Sequence, residues 1–280
     1  MAVNRPEDKY AKVGEINMRF WSMGDRGPIL ILLHGIGCHV EMWEKNIAAL
    51  SQDHHVYAID IMGFGRSDKP PAPYSPQLLV RFVLDFMETL HIEKATLIGN
   101  SMGGGISMMI AIQSPERVDK LVLVDTIGLG KEVSPVLRLM SLPLIGELLT
   151  RPGRKGVLRT MKLCLYDPSA VTDDFIERAA QIAVLPRAQN AFLATLRSGG
   201  AFGGIKKELL SAYFDNFHRI KAPSLVIWGR QDRIFPVAHA QVALEKIPGA
   251  KLHIIDRAGH FPQMDQPEEF NAAVLEFLRA

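Results

Sequence analysis

The sequence predicts an α/β fold in which a mostly parallel central sheet carries helices on both faces and a helical cap is inserted between two of its later strands. Three observations lead there. Short apolar runs at 28–33, 56–60, 96–98 and 120–125 alternate with helix-compatible segments, the order that gives parallel strands joined by right-handed crossovers. The runs lack polar alternation, as strands buried on both faces do. The rhythm stops from about 127 to 217, where helix-like spacing dominates, and resumes at 224–229 and 251–255. Residues 1–126 and 219–280 are expected to form the core domain and residues 127–218 the cap.

The bulk properties narrow the class. At 48% hydrophobic and 22% charged residues, the chain has the composition of an ordinary soluble globular protein and not of a disordered one. Its 32 basic and 30 acidic residues are scattered, so no basic stripe points to nucleic acid. Cys38 and Cys164 stand far apart and outside any C-x-x-C pair, which argues against a metal site or a disulfide and for a reducing, cytoplasmic setting. The first ten residues are polar and lack the apolar core of a signal peptide, and no apolar stretch approaches bilayer-spanning length. No membrane partner is expected; a homo-oligomer is left open.

Along the chain, Ile16, Met18 and Phe20 alternate after Gly14, which suggests a hairpin with one buried face. The run at 28–33 ends in His34-Gly35-Ile36-Gly37. Such a glycine-bearing loop is the natural place for backbone amides that meet an oxygen developing negative charge, the alternative being a simple turn. The next run ends at Asp60 before a loop rich in turn formers, and Asp60 is expected to brace that loop. A helix from about 75 to 90 begins with a Ser75-Pro76 cap.

It leads to Gly99-Asn100-Ser101-Met102-Gly103, a G-x-S-x-G pattern between a strand candidate and a helix candidate. A serine at the tip of such a turn lifts its hydroxyl above the sheet edge. Gly99 and Gly103 are expected to allow a backbone conformation that a Cβ atom would oppose. The following helix aims its free amides and positive dipole end at the same point. In the cap, the apolar residues from 136 to 149 are expected to roof a pocket. A membrane-surface role would need a strongly basic face, which is not seen. After the cap, the run at 224–229 leads to Asp232, and that at 251–255 leads to Gly259-His260-Phe261.

Ser101, Asp232 and His260 each follow a strand of a parallel sheet, at the edge where such sheets gather ligands. The types suit nucleophilic catalysis: a serine hydroxyl needs a base, and the base needs an acid to fix its tautomer. Asp125, which ends its own strand, is the rival for the acid. His34 reads as bracing the glycine loop; His39 is near enough to line a pocket, or lies on the surface.

The order Ser, Asp, His and the two glycine loops resemble the α/β-hydrolase superfamily along nearly the whole chain. That resemblance implies an α/β-hydrolase fold and a Ser101–His260–Asp232 triad, with the amides of Ile36 and Met102 forming an oxyanion hole and Gly35, Gly37 and Phe261 lining the substrate site. No metal or organic cofactor is implied. Gly99-Asn100-Ser101-Met102-Gly103-Gly104 and the cap stretch 165–174 look like the meta-cleavage-product hydrolases, which split carbon–carbon bonds. Two positions depart from that group: Cys38-His39-Val40 stands where Gly-Pro-Gly usually extends the loop, and Phe261 stands where Trp follows the histidine. Arg178 is a candidate clamp for a substrate carboxylate, although pairing with Asp174 four residues earlier is favoured. The expected activity is hydrolysis of small apolar esters. Carbon–carbon hydrolysis of 2-hydroxy-6-oxo-dienoates, or a non-catalytic receptor on the same fold, are the alternatives.

Overall fold

Apolar runs without alternation need cover on both faces, and a central sheet flanked by helices supplies it. The protein is described by a computed structural model covering residues 5–280; the first four residues of the polar N-terminal stretch lie outside it. The strands are β1 (Lys9–Val13), β2 (Ile16–Met23), β3 (Ile29–Leu33), β4 (His55–Ile59), β5 (Ala95–Asn100), β6 (Val118–Val124), the two-residue β7 (Gly200–Ala201) and β8 (Gly204–Ile205), then β9 (Ser224–Gly229) and β10 (Lys251–Ile255). Eight of them form one sheet in the order β1-β2-β4-β3-β5-β6-β9-β10. β1, β2 and β4 pair antiparallel, and every pairing from β4 to β10 is parallel. β5 and β9, each with a neighbour on both sides, are buried at every position.

Helices α1 (Ile47–Leu50), α2 (Pro76–Thr89) and α3 (Met102–Gln113) lie between strands of the sheet. Ser75 caps α2, its hydroxyl accepting from the Leu78 amide at 3.2 Å with Pro76 in the first turn. α3 packs against β3, β5, β6 and α2, which explains why every residue from Gly103 to Ile112 is buried and the helix has no polar face. Between β6 and β9 run α4 (Pro135–Met140), α5 (Ile145–Leu149), α6 (Arg154–Cys164), α7 (Asp173–Ala183), α8 (Ala188–Gly199) and α9 (Lys207–Phe214). This stretch is helical as expected, except for the ribbon β7–β8, too short and too rich in glycine to leave a pattern. α10 (Ala238–Lys246), α11 (Pro262–Asp265) and α12 (Pro267–Arg279) complete the chain, α10 and α12 packing on β9 and β10.

Strand order sets the site. β3, β5, β6, β9 and β10 are consecutive neighbours, so the loops at their carboxyl ends, carrying Ile36, Ser101, Asp125, Asp232 and His260, meet along one edge.

The glycines flanking Ser101 serve close approach and not an unusual backbone angle. Neither has positive φ, and the residue that does is Ser101 itself, at φ 55° and ψ −114°. A Cβ on Gly99 would meet the Gly103 carbonyl oxygen at 2.3 Å, and one on Gly103 would meet the Leu33 carbonyl oxygen at 2.2 Å. Both obstacles are backbone and cannot swing away. Gly103→Ala is expected to lower stability by about 3 kcal/mol, whereas Gly203→Ala, with nothing within 4 Å, should change it by less than about 0.5 kcal/mol. Urea denaturation midpoints compare the two; equal shifts would contradict the crowding.

Candidate active site

Ser101 is held in a conformation that costs a serine about 1–3 kcal/mol. Its amide donates to the Val124 carbonyl at 2.9 Å, and its carbonyl accepts from the amides of Gly105 at 3.1 Å and Ile127 at 3.3 Å. Strand β6, helix α3 and the start of the cap thus grip one residue. Asn100, which sequence reasoning passed over, adds a staple: its Nδ2 donates to the carbonyls of Val124 at 3.2 Å and His260 at 3.0 Å. The only signal for it was its place next to the serine.

Asp232 and His260 come together as expected. The His260 Nδ1–H donates to Asp232 Oδ2 at 2.9 Å, and Asp232 Oδ1 accepts from the amides of Ile234 at 2.6 Å and Phe235 at 3.2 Å. The acid is thereby aimed, and the ring's other nitrogen is left for a partner. The imidazole packs against the rings of Phe235 and Phe261, both with centroids at 5.4 Å. Its amide donates to the Cys164 carbonyl at 2.6 Å, so the end of α6 reaches the histidine loop. Asp125 also arrives here, fully buried, with Oδ1 accepting from the Gly229 amide at 3.0 Å.

The first glycine loop approaches the serine closely: a Cβ on Gly35 would meet Asn100 Oδ1 and Ser101 Cβ, each at 3.2 Å. The amides of Ile36 and Met102 donate to no acceptor among the described residues. His34 braces this loop, its Nδ1–H donating to the Gly35 carbonyl at 2.7 Å and its Nε2 accepting from the Ile61 amide at 3.1 Å. Both contacts fit only the neutral ring. Burial drives its pKa down to about 3.

Behind the loop sits a buried charge cluster. Arg19 pairs with Glu41 at 2.8 Å and Asp60 at 3.1 Å. Asp60 braces its loop, accepting from the amides of Val40 and Arg66, each at 2.8 Å. Glu41 holds the ring of His39 at 2.6 Å. Burial opposes the charge on Glu41, but His39 and Arg19 outweigh it and keep its carboxyl below the usual range.

Ser101 opens onto two chambers. The larger, about 420 Å³, is lined by Gly35, Ile36, Gly37, His39, Ser101, His260 and Phe261 together with cap residues. The smaller, about 90 Å³, is lined almost wholly by apolar side chains, Met102, Ile106 and Met109 among them. His39 therefore faces the cavity. Cys38 and Cys164 also line the larger chamber; burial pushes the Cys38 thiol up to about 12 and that of Cys164 well above its ordinary value, so neither is a thiolate at neutral pH.

One expectation needs correction, and one candidate residue finds its favoured partner and a second one. The apolar stretch 136–149 roofs the larger chamber only in part: Val136, Leu137, Met140 and Leu149 line it, whereas Leu144 is 83% exposed and Leu139, Ile145 and Leu148 also face outward. A helical segment has two sides, and only one can face the cavity. Arg178 lines neither chamber among the described residues. Its guanidinium pairs with Asp174 at 3.2 Å, the expected i,i+4 partner, and also with Glu44 at 2.8 Å, a residue 134 positions away. Carboxylates already occupy the clamp.

The family model described as the alpha/beta hydrolase family matches residues 30–273. The chain belongs to the alpha/beta hydrolase family. Among relatives of this alpha/beta hydrolase, an uncharacterized protein of Mycobacterium bovis is 34% identical, over 93% of this chain and 78% of its own. The 2-hydroxy-6-oxo-6-phenylhexa-2,4-dienoate hydrolase of Burkholderia cepacia is 31% identical, over 90% of this chain and 88% of its own. Among solved structures, the meta-cleavage product hydrolase from Pseudomonas fluorescens IP01 superposes with a TM-score of 0.81 at 27% identity, covering 99% of both chains. The likeness thus includes the cap.

The His34 geometry sets a pH dependence. The ring is neutral in the fold down to about pH 3, while in the unfolded chain it takes a proton at about pH 6.5. Its contribution to stability is therefore complete above about pH 6.5 and is lost progressively as pH falls toward 3. Urea unfolding at pH 7 and pH 4 is expected to show a smaller acid loss in His34→Asn than in the wild type; equal losses would contradict a buried neutral ring.

Proposed function

We propose that this alpha/beta hydrolase is a serine hydrolase that cleaves small apolar carboxylic esters through an acyl-enzyme on Ser101. The observation that carries the reading is the larger chamber, lined by the strained Ser101, by Ile36 with its open amide and by His260, which Asp232 aims, with the open amide of Met102 next to the serine in the chain. A serine hydroxyl is too weak a nucleophile alone at neutral pH, so His260 takes its proton as Ser101 attacks the carbonyl carbon. Asp232 keeps the imidazole in the tautomer with Nε2 free and stabilises its positive form. The two amides meet the oxyanion, already in place when the charge develops. His260 then protonates the leaving alcohol and activates the water that releases the acid. Residues 127–218 act as the helical cap domain over this site, on the core formed by residues 1–126 and 219–280.

A second reading, cleavage of a carbon–carbon bond in a 2-hydroxy-6-oxo-dienoate, has separate support. The relatives from Burkholderia cepacia and Pseudomonas fluorescens carry such names. Lys69 lines the larger chamber, its ammonium held by the carbonyls of Gly65 and Ser67 and, among the described residues, by no acid, and the exposed Arg151 and Arg159 also line it. The same triad would serve, acting on a keto tautomer with a dienoate as leaving group. Against it stands Arg178, whose charge is already met by Glu44 and Asp174. Arg178 therefore lends the second reading no support.

Turnover of a nitrophenyl ester series and of a 2-hydroxy-6-oxo-dienoate by wild type and Arg178→Ala separates the readings. The ester reading expects kcat/KM on esters to exceed that on the dienoate and to change less than about threefold in the variant. Stability should fall by about 2 kcal/mol, because Glu44 then keeps only Arg5 as a charged partner among the described residues. Dienoate cleavage more efficient than ester hydrolysis in the wild type, whether or not it survives in the variant, would establish the second reading.

A further inference from the structure

Asp125 ends β6, directly beside β9, whose loop carries Asp232. Both side chains are sealed from solvent. Three donors converge on Asp232: the amides of Ile234 and Phe235 on Oδ1 and the His260 ring on Oδ2. Asp125 receives one, from the Gly229 amide on Oδ1, and its buried Oδ2 meets no donor. An atom of each of Asp125, Asp232 and His260 lies within 4.8 Å of the others. Two buried carboxyl groups at such range do not both ionise, and the charge settles where the donors are.

We propose that Asp125 is a neutral carboxylic acid whose Oδ2 hydroxyl donates to Asp232, making it a positioning residue for the acid that orients His260. This explains why Oδ2, alone of the four oxygens of this carboxyl pair, has no donor, since a hydroxyl needs an acceptor and Asp232 is at hand. Burial raises the Asp125 pKa well above the usual carboxylate range; the charge of Asp232, the hydrogen bond to it and the charge of Asp265 on α11 add to the rise, and the Gly229 amide opposes it. The titratable groups around it are thus Asp232 on the β9 loop, His260 on the β10 loop and Asp265, none of them a Lys or Arg.

A neutral donor has a specific use here. It gives Asp232 a fourth hydrogen bond, fixing the carboxylate plane and hence the direction of Nδ1, without setting a second negative charge beside the imidazole. An ionised Asp125 would strengthen the hold of His260 on its proton and leave less free base at neutral pH. The chemistry also predicts which substitution rescues the role. Asn has the same shape; its oxygen still accepts from the Gly229 amide, and its NH2 still donates to Asp232. Leu fills similar volume and does neither.

The inference rests on Ser101, His260 and Asp232 acting as one catalytic unit, and the test keeps the two apart. Asp125→Asn and Asp125→Leu are compared with wild type for kcat, KM and pH profile on a soluble nitrophenyl ester. Difference infrared spectra of wild type against Asp125→Asn are recorded at pH 7. Leu is expected to lower kcat about tenfold or more with KM changed less than about threefold. Asn should restore kcat to within about twofold of wild type and leave the acid limb of kcat/KM in place. The infrared difference should contain the carbonyl stretch of a protonated carboxyl. A Leu variant with full kcat, an acid limb displaced by about half a unit or more in the Asn variant, or a carboxylate band alone would overturn the proposal. If the Leu variant does not fold, the Asn profile and the infrared band decide. Ser101→Ala, assayed alongside, reports on the triad itself: turnover retained there removes the triad, while the infrared band still reports the state of Asp125.

Discussion

The backbone of Ser101, at φ 55° and ψ −114°, is the constraint on which the carboxyl edge of the sheet depends. Only a turn this tight lifts a side chain clear of β5 and starts α3 at the next residue, so that the first amides of the helix face the hydroxyl. The conformation survives because its surroundings over-determine it. Val124, Gly105 and Ile127 bind its backbone, and Asn100 ties the elbow to the His260 loop. Closeness is what the glycines contribute. Gly103 lies against the Leu33 carbonyl and Gly99 against Gly103, so β3, β5 and α3 approach as no larger residue would allow. The loop after β3 is brought within reach of the serine by that same approach.

A second theme is how the fold handles buried charge. Arg19 answers Glu41 and Asp60 behind the glycine loop, and Arg178 on α7 answers Glu44 from the core side. Removing one member of such a group leaves the others buried and unpaired, so these networks specify geometry more than they add stability. The Arg178 pairs tie the cap to the core beside the cavity. The arginine considered as a clamp for a substrate carboxylate is thereby paired within the protein, with Glu44 and Asp174.

Much of the fold was legible in the sequence because burial on two faces writes itself as unbroken apolar runs, and the Ser75-Pro76 cap writes itself as a local motif. Ser101, Asp232 and His260 were legible because each follows such a run. What escaped depended on neighbours in space. That Asp125 lies against Asp232 follows from β6 pairing with β9, a fact of strand order invisible along the chain. The Asp174 partner of Arg178 was readable from helical spacing, but Glu44, 134 residues away, was not. The cap stretch 136–149 misled because apolar content marks a segment and not the side of it that faces inward.

The central claim is that Ser101 is a nucleophile activated by His260, and covalent labelling tests it most directly. A fluorophosphonate probe, followed by intact mass and peptide mapping, should add one equivalent to wild type at Ser101. Addition should be slowed in His260→Ala and absent in Ser101→Ala, with ester turnover in all three following the same order. Each single variant should lose nearly as much turnover as the double, because the two side chains act as one unit. Labelling at another residue, or a Ser101→Ala variant that keeps more than about a tenth of wild-type turnover, would contradict the account.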